Sequence, residues 1–157
     1  MVTVSRPQSA EEFKEYYDLR WRLLRQPWGQ PRGSEKDELE AGSHHVTVRD
    51  ENGRLLGIGR LHLNNDQEAQ IRYMAIEEDA QGRGIGRAIM ESLESIAREL
   101  GARVIALDAR EHAVGFYERF AYRVVGAGPT KFDAIKHSKM ELCLDQQPAK
   151  PDSANLK

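Results

Sequence analysis

Two hydrophobic periods alternate along this chain, and the points where one replaces the other mark its elements. Residues 2–4 have strand composition. Phe13, Tyr16, Tyr17, Leu19, Trp21, Leu23 and Leu24 then follow a mainly helical spacing behind Ser9-Ala10-Glu11-Glu12, whose Ser and Glu three apart form a capping box. A helix is expected to begin there and run to about Arg25, stopped by the rigid, aromatic Pro27-Trp28-Gly29-Gln30-Pro31. Residues 33–43 are strongly polar, with one or two helical turns expected around 37–41. Alternation takes over at His45-Val46-Thr47-Val48-Arg49. An Asn52-Gly53 turn joins that strand to a second over 55–63, with Gly57 and Gly59 inside it, and Asn64-Asn65-Asp66 leads into a third over 69–76. From Gly84, Ile85, Ile89, Leu93, Ile96 and Leu100 return to helical spacing, and Gly101 sits where a C-terminal cap belongs. A buried strand at 104–107, a helix at 113–120 and a strand at 138–144 follow.

This order, a helix and an antiparallel meander followed by strand-helix-strand units, predicts an α/β sandwich around a mixed sheet. The connection from 69–76 through the long helix to 104–107 is a β-α-β crossover whose two strands should be parallel. A chain of 157 residues is the size of one domain, expected over 1–145, and residues 146–157, with two Pro and no aromatic, read as a disordered tail.

Composition removes several function classes. Lys and Arg total 23 against 25 Asp and Glu, a net charge of −2, so nucleic acid is not an expected partner. The one cysteine, Cys143, supports neither an internal disulfide nor a structural zinc cluster. His44-His45 resembles a metal pair, but neighbours on a strand point to opposite faces, so no metal site is expected. No apolar run approaches the roughly 18 residues that span a bilayer, and the N-terminus lacks a signal-peptide core, so the expected setting is cytoplasmic, without a membrane partner.

The segment richest in chemistry is Gln81-Gly82-Arg83-Gly84-Ile85-Gly86-Arg87, between a strand and a long helix. Alternating glycines let the backbone turn at positive φ and leave amides uncovered, so that with the helix dipole behind them the N–H groups of 82–87 can converge on a diphosphate. Arg83 and Arg87 add charge nearby. The P-loop needs Gly-Lys, which the chain lacks, and the dinucleotide fingerprint would put its third glycine where Arg87 stands. A sugar- or nucleotide-binding reading is correspondingly weak. On its own such a loop is more often just a tight strand-to-helix turn.

Met74-Ala75-Ile76 followed by the 81–86 loop resembles the acyl-CoA motif Q/R-x-x-G-x-G/A of the GNAT superfamily of N-acyltransferases. Residues 107–122, with Phe116-Tyr117 ahead of Phe120-Ala121-Tyr122, look like that family's second motif, and Ile135-Lys136-His137-Ser138-Lys139-Met140 is similar to the I-P-H-x-x-M ending of small bacterial members. The resemblance implies a three-layer α/β/α sandwich around a mixed, mostly antiparallel sheet. It implies acetyl-CoA as acyl donor, with no metal, and direct attack by a primary amine in a ternary complex, so no covalent nucleophile is required. Met74, Ala75 and Ile76 would hold pantetheine and polarise the thioester. Gln81, Gly82, Arg83, Gly84, Ile85, Gly86 and Arg87 would cradle the diphosphate, with Ala113, Phe116 and Tyr117 completing the cofactor contacts.

Tyr117 would protonate the departing thiolate, although surrounded by Phe116, Phe120 and Tyr122 it also fits a core aromatic. A lysine-like amine of pKa about 10.4 is neutral in only about one molecule in 2,500 at pH 7, so a proton acceptor is needed. His112, His137, His45 and Glu68 are the candidates, with His112 and His137 placed nearest the chemistry by the two motifs. Arg20, Arg22 and Arg25 read either as a solvated helix face or as part of the acceptor wall that the first helix forms in the family. Two positions depart from the family pattern: the Asn ahead of the Tyr helix is missing, and Ala121 stands where Gly is usual. A CoA-binding regulatory or interaction domain with weak catalysis is therefore the alternative to an enzyme. A small molecule or peptide amine is the expected acceptor, and a second copy of the chain is a candidate partner because homodimers are frequent in the family.

Overall fold

The computed structural model describes residues 1–144; the expected tail at 146–157 lies outside the described residues. Strand β1 (Val2–Ser5) leads into helix α1 (Ala10–Leu24), whose capping box is formed: the Ser9 hydroxyl accepts from the Glu12 N–H at 3.1 Å, and the Glu12 carboxylate accepts from the Ser9 N–H at 3.2 Å. The polar segment behind it holds one short 3-10 turn, Glu40–Gly42, less helix than its composition suggests. The meander follows as β2 (His44–Asp50), β3 (Leu55–Leu63) and β4 (Glu68–Ile76). Helix α2 (Ile85–Glu99) then crosses to β5 (Val104–Arg110).

The seven strands are ordered β1-β2-β3-β4-β5-β7-β6, and only β4 and β5 run parallel. The sheet is mixed and mostly antiparallel, and the crossover through α2 joins parallel neighbours as its sequence order requires. Helices cover both faces. On one, Ile85, Ile89, Met90, Leu93 and Ile96 of α2 pack on Val46, Leu56, Leu61 and Ile105. On the other, Tyr16 and Leu19 of α1 pack on Ile58 and Ala75. Gly57 and Gly59 let α2 sit close: a Cβ at Gly59 would stand 2.6 Å from Ile89 Cγ2.

Two parts of the second half differ from the sequence expectation. β5 runs three residues past the expected 104–107, and helix α3 is only Val114–Glu118 instead of 113–120: residue 113 belongs to a 3-10 turn at Glu111–Ala113, and the chain turns left-handed at Ala121 just beyond the helix. Residues 123–131, with Gly126, Gly128 and Pro129, carry no strand signal, yet they form β6 (Arg123–Lys131), paired with β7 (Ile135–Cys143). As the outermost strand, β6 tolerates glycines and a proline, and its pairing breaks register between Ala127 and Thr130. Ala121, after α3, is left-handed at φ 73. Among the described residues no helix is long and apolar enough to cross a membrane.

Candidate active site

The site begins with a failure of pairing. β4 and β5 are hydrogen-bonded from Glu68 with Val104 to Ile71 with Leu107, and there the pairing ends. On its other edge β4 carries a bulge: Ala75 pairs with Ile58 and Arg72 with Arg60, so Gly59 faces both Tyr73 and Met74. Tyr73 takes φ 64, a conformation that L side chains adopt at a cost. A bulge bends its strand, and the bent half of β4 diverges from β5 to open a cavity of about 640 Å³. Residues 72–76 and 107–110 form its two sides, and the end of α1 and the β6–β7 hairpin tip close it.

The strained Tyr73 is held by arginines. The guanidinium carbons of Arg20, Arg72, Arg60 and Arg25 lie 4.2, 4.5, 4.9 and 5.5 Å from its ring centroid. Behind them Arg60 contacts Asp37 at 2.7 Å and Glu40 at 2.8 Å, Arg20 contacts Glu40 at 2.9 Å, and Arg72 contacts Asp37 at 3.0 Å. Burial opposes charge on Asp37, but hydrogen bonds from Arg60 and the Leu39 N–H hold its carboxyl far below the usual range. Arg20 and Arg25 are therefore buried rather than on a solvated helix face. Only Arg22 stays half-exposed, paired with Asp18 and Glu77.

Of the residues singled out by sequence, Met74, Ala75, Ile76, Gln81, His112, Ala113, Tyr117 and His137 line this cavity. The glycine loop starts at its rim with Gln81. Gly82 and Gly84 both take φ 79 with open space where a Cβ would be, and Gly84 caps α2 without a side-chain hydrogen bond. Gly86 and Phe116 have a packing role toward each other, since a Cβ at 86 would stand 2.8 Å from the Phe116 ring. Ile85 is buried in the core, so only its backbone can face a ligand, and Arg87 lies 5.2 Å from the Phe120 ring.

The Tyr117 hydroxyl donates to Met74 Sδ at 3.7 Å across the cleft. Burial pushes this phenol up to about 12, with Arg110 opposing, so it stays protonated through the physiological range. His137 lies opposite Arg110 in the β5–β7 register, and its Nδ1 donates to the Pro129 carbonyl at 2.9 Å. That bond fixes the neutral tautomer and leaves Nε2 as a proton acceptor. His112 is exposed at the cavity edge. The other two base candidates are elsewhere. His45 is buried under α1, where it donates to the Glu40 carbonyl at 2.9 Å and accepts from Tyr16 at 2.7 Å; Glu68 faces a separate, smaller hollow.

Arg25, offered by the sequence as part of an acceptor wall, and Arg110, within the 107–122 motif, also line the cavity, together with residues that no motif marked: His62, Arg72, Lys131 and Phe132. His62 accepts from Arg60 at 3.0 Å and donates to Asn64 at 3.1 Å; burial and the adjacent Arg60 lower its pKa. Among the described residues no group of three or more His, Cys, Asp or Glu is arranged to hold a metal ion.

A bulged β4 splayed from β5, with a glycine loop leading from its end into α2, defines an acyltransferase type of site. The acetyltransferase (GNAT) family matches the chain over residues 13–122, and the chain belongs to that family. The uncharacterised N-acetyltransferase YjcF of Bacillus subtilis is 29% identical over 133 residues, covering 85% of this chain and 94% of that protein. The crystal structure of an acyl-CoA N-acyltransferase from Pseudomonas aeruginosa shares the fold with a TM-score of 0.74 at 23% identity, over 90% of this chain and 97% of that one. An aminoglycoside 6′-N-acetyltransferase complexed with coenzyme A does so with a TM-score of 0.76 at 16% identity, over 95% and 99%.

Proposed function

We propose that this chain transfers an acetyl or similarly short acyl group from acetyl-CoA to a primary amine, by direct attack within a ternary complex. The observation that carries the reading is the splayed opening, lined by 74–76 on one side and Tyr117 on the other, with the 81–86 loop at its end. Exposed backbone groups of the bent β4 are suited to hold the pantetheine, and an N–H there to stabilise the oxyanion that develops on the thioester. Left-handed Gly82 and Gly84 keep the loop amides clear of side chains for the diphosphate.

The amine nitrogen bonds to the thioester carbon, the carbon–sulfur bond breaks, and the thiolate leaves hydrogen-bonded to the Tyr117 phenol, taking its proton from solvent on release. At about 12 against about 8.5 for a thiol, complete transfer from the free enzyme's Tyr117 is uphill by roughly 5 kcal/mol, so the phenol acts by a hydrogen bond that strengthens as sulfur gains charge. His137 Nε2 is the acceptor for the ammonium proton, directly or through water, with His112 the second candidate. Lys131 indicates how an amine fares in this cavity: burial, Arg72 and Arg25 bring its ammonium down to about 8. At pH 8 such an amine is half neutral, against about one molecule in 250 for a free lysine-like amine.

The test is release of free thiol from acetyl-CoA with a panel of amines. Amine-dependent release with a matching acetylated product supports the reading. Binding of acetyl-CoA without release from any amine points instead to a CoA-binding domain.

A further inference from the structure

Four basic side chains gather in the cavity. Arg25 from the end of α1, Arg72 from β4, Arg110 from the end of β5 and Lys131 from the end of β6 all line it. They are close enough to act on one another: Arg72, Arg25 and Arg110 each disfavour the Lys131 ammonium, and Arg25 disfavours charge on Arg110. Only Arg72 has a carboxylate partner, Asp37. Arg25 donates to the backbone carbonyls of Ser34 at 3.0 Å and Leu24 at 3.1 Å. Among the described residues neither the Arg110 nor the Lys131 side chain makes an ion pair or hydrogen bond; Asp108 favours the Lys131 charge from beyond ion-pair distance.

Half-buried cations without counter-ions are costly unless a ligand supplies the missing charge. The acyl donor's diphosphate does not account for this group: Arg72 stands four residues of strand, about 13 Å, before Ile76, beyond which the glycine loop lies, and Arg25, over the ring of the neighbouring Tyr73, and Lys131 gather around Arg72. Resting on the transferase reading above, we infer that the acceptor is an amine that also carries an oxyanion, a carboxylate or a phosphate, which Arg25, Arg110 and Lys131 hold while its amine faces the thioester. These residues come from α1, β5 and β6, so they meet only in the folded chain. The Arg25 guanidinium lies 5.5 Å from the Phe132 ring at the hairpin tip, which keeps the cationic cluster partly shielded from water and strengthens its hold on an anion. Polyamines and other polycations are excluded by the same field. The aminoglycoside named for one fold neighbour therefore does not carry over to this pocket.

The test compares kcat/KM for amino acids, their amides, O-phosphoethanolamine and putrescine with acetyl-CoA held saturating. Amines bearing an oxyanion should exceed the matched amides by about 10- to 100-fold, and putrescine should be the poorest. The ratio of carboxylate to phosphate substrates identifies the preferred oxyanion. Lys131→Met should raise KM for the anionic acceptor by about 10-fold while leaving KM for acetyl-CoA unchanged. Equal or better use of amides or putrescine overturns the inference while leaving transfer intact. If no amine is acetylated, calorimetry of the anionic amines into the enzyme–CoA complex decides separately. Binding that Lys131→Met weakens supports the anion site though transfer fails; absence of binding overturns it.

Discussion

The hydroxyl of Tyr117 donates to the sulfur of Met74, so one hydrogen bond joins α3 to the bent half of β4 across the mouth of the cavity. The thioether is a weak acceptor, easily exchanged for another sulfur. Tyr117→Phe should lower kcat by about 100-fold or more while changing the dissociation constant for acetyl-CoA by less than about twofold. The high phenol pKa adds a pH signature: Tyr117 should impose no alkaline fall in kcat below about pH 10. Steady-state kinetics and calorimetry on the pair of proteins check both.

Lys131 trades stability for charge. Its ammonium is held at about 8 in the folded protein against 10.5 ordinarily, so the unfolded chain binds more protons between those values. The penalty is therefore full below pH 8 and gone above pH 10.5. Lys131→Met should raise the stability of the free enzyme at pH 7 by about 1 kcal/mol, allowing for solvent screening of a half-exposed ammonium. The gain should fade as pH rises through that window. Denaturant melts at pH 7 and at alkaline pH measure the difference.

Ala121 occupies a left-handed cap at φ 73, with its N–H donating to the Glu118 carbonyl at 3.0 Å. Glycine adopts this conformation without the Cβ penalty, so Ala121→Gly should stabilise the protein by about 0.5 to 1 kcal/mol. Urea unfolding should show a higher midpoint with an unchanged slope.

Gly59 lets α2 approach β3. A methyl group there would meet Ile89 Cγ2 at 2.6 Å and Leu93 Cδ1 at 3.0 Å, inside a fully buried contact. Gly59→Ala should destabilise by about 1 to 3 kcal/mol through overpacking, read as a lower melting temperature.

What the sequence carries well is whatever depends on local pattern. The Ser9–Glu12 capping box, the Ile85-to-Leu100 stripe and the paired strands around Asn52-Gly53 are written in spacing, and the glycine loop is written in residue type. The bulge at Tyr73 is not, because nothing in Arg72-Tyr73-Met74 distinguishes a residue at φ 64 from its neighbours in an alternating strand. Strand β6 was hidden by Gly126, Gly128 and Pro129, which an outermost strand accepts and an isolated sequence reads as loop. Gly128 is there for packing: a Cβ would lie 3.0 Å from Asp108 Oδ1 and 3.1 Å from His137 Cβ. Once β6 is missed, Lys131 is missed with it. Arg25, Arg110 and Lys131, separated by 85 and 21 positions, become one cluster only through strand order.

The most direct test of the account is a calorimetric titration of the purified chain with acetyl-CoA. Saturable binding at one site per chain, with a dissociation constant in the micromolar range, is the predicted result. No heat and no thermal stabilisation up to about 500 μM acetyl-CoA, well into the range of ordinary enzyme KM values, would contradict it.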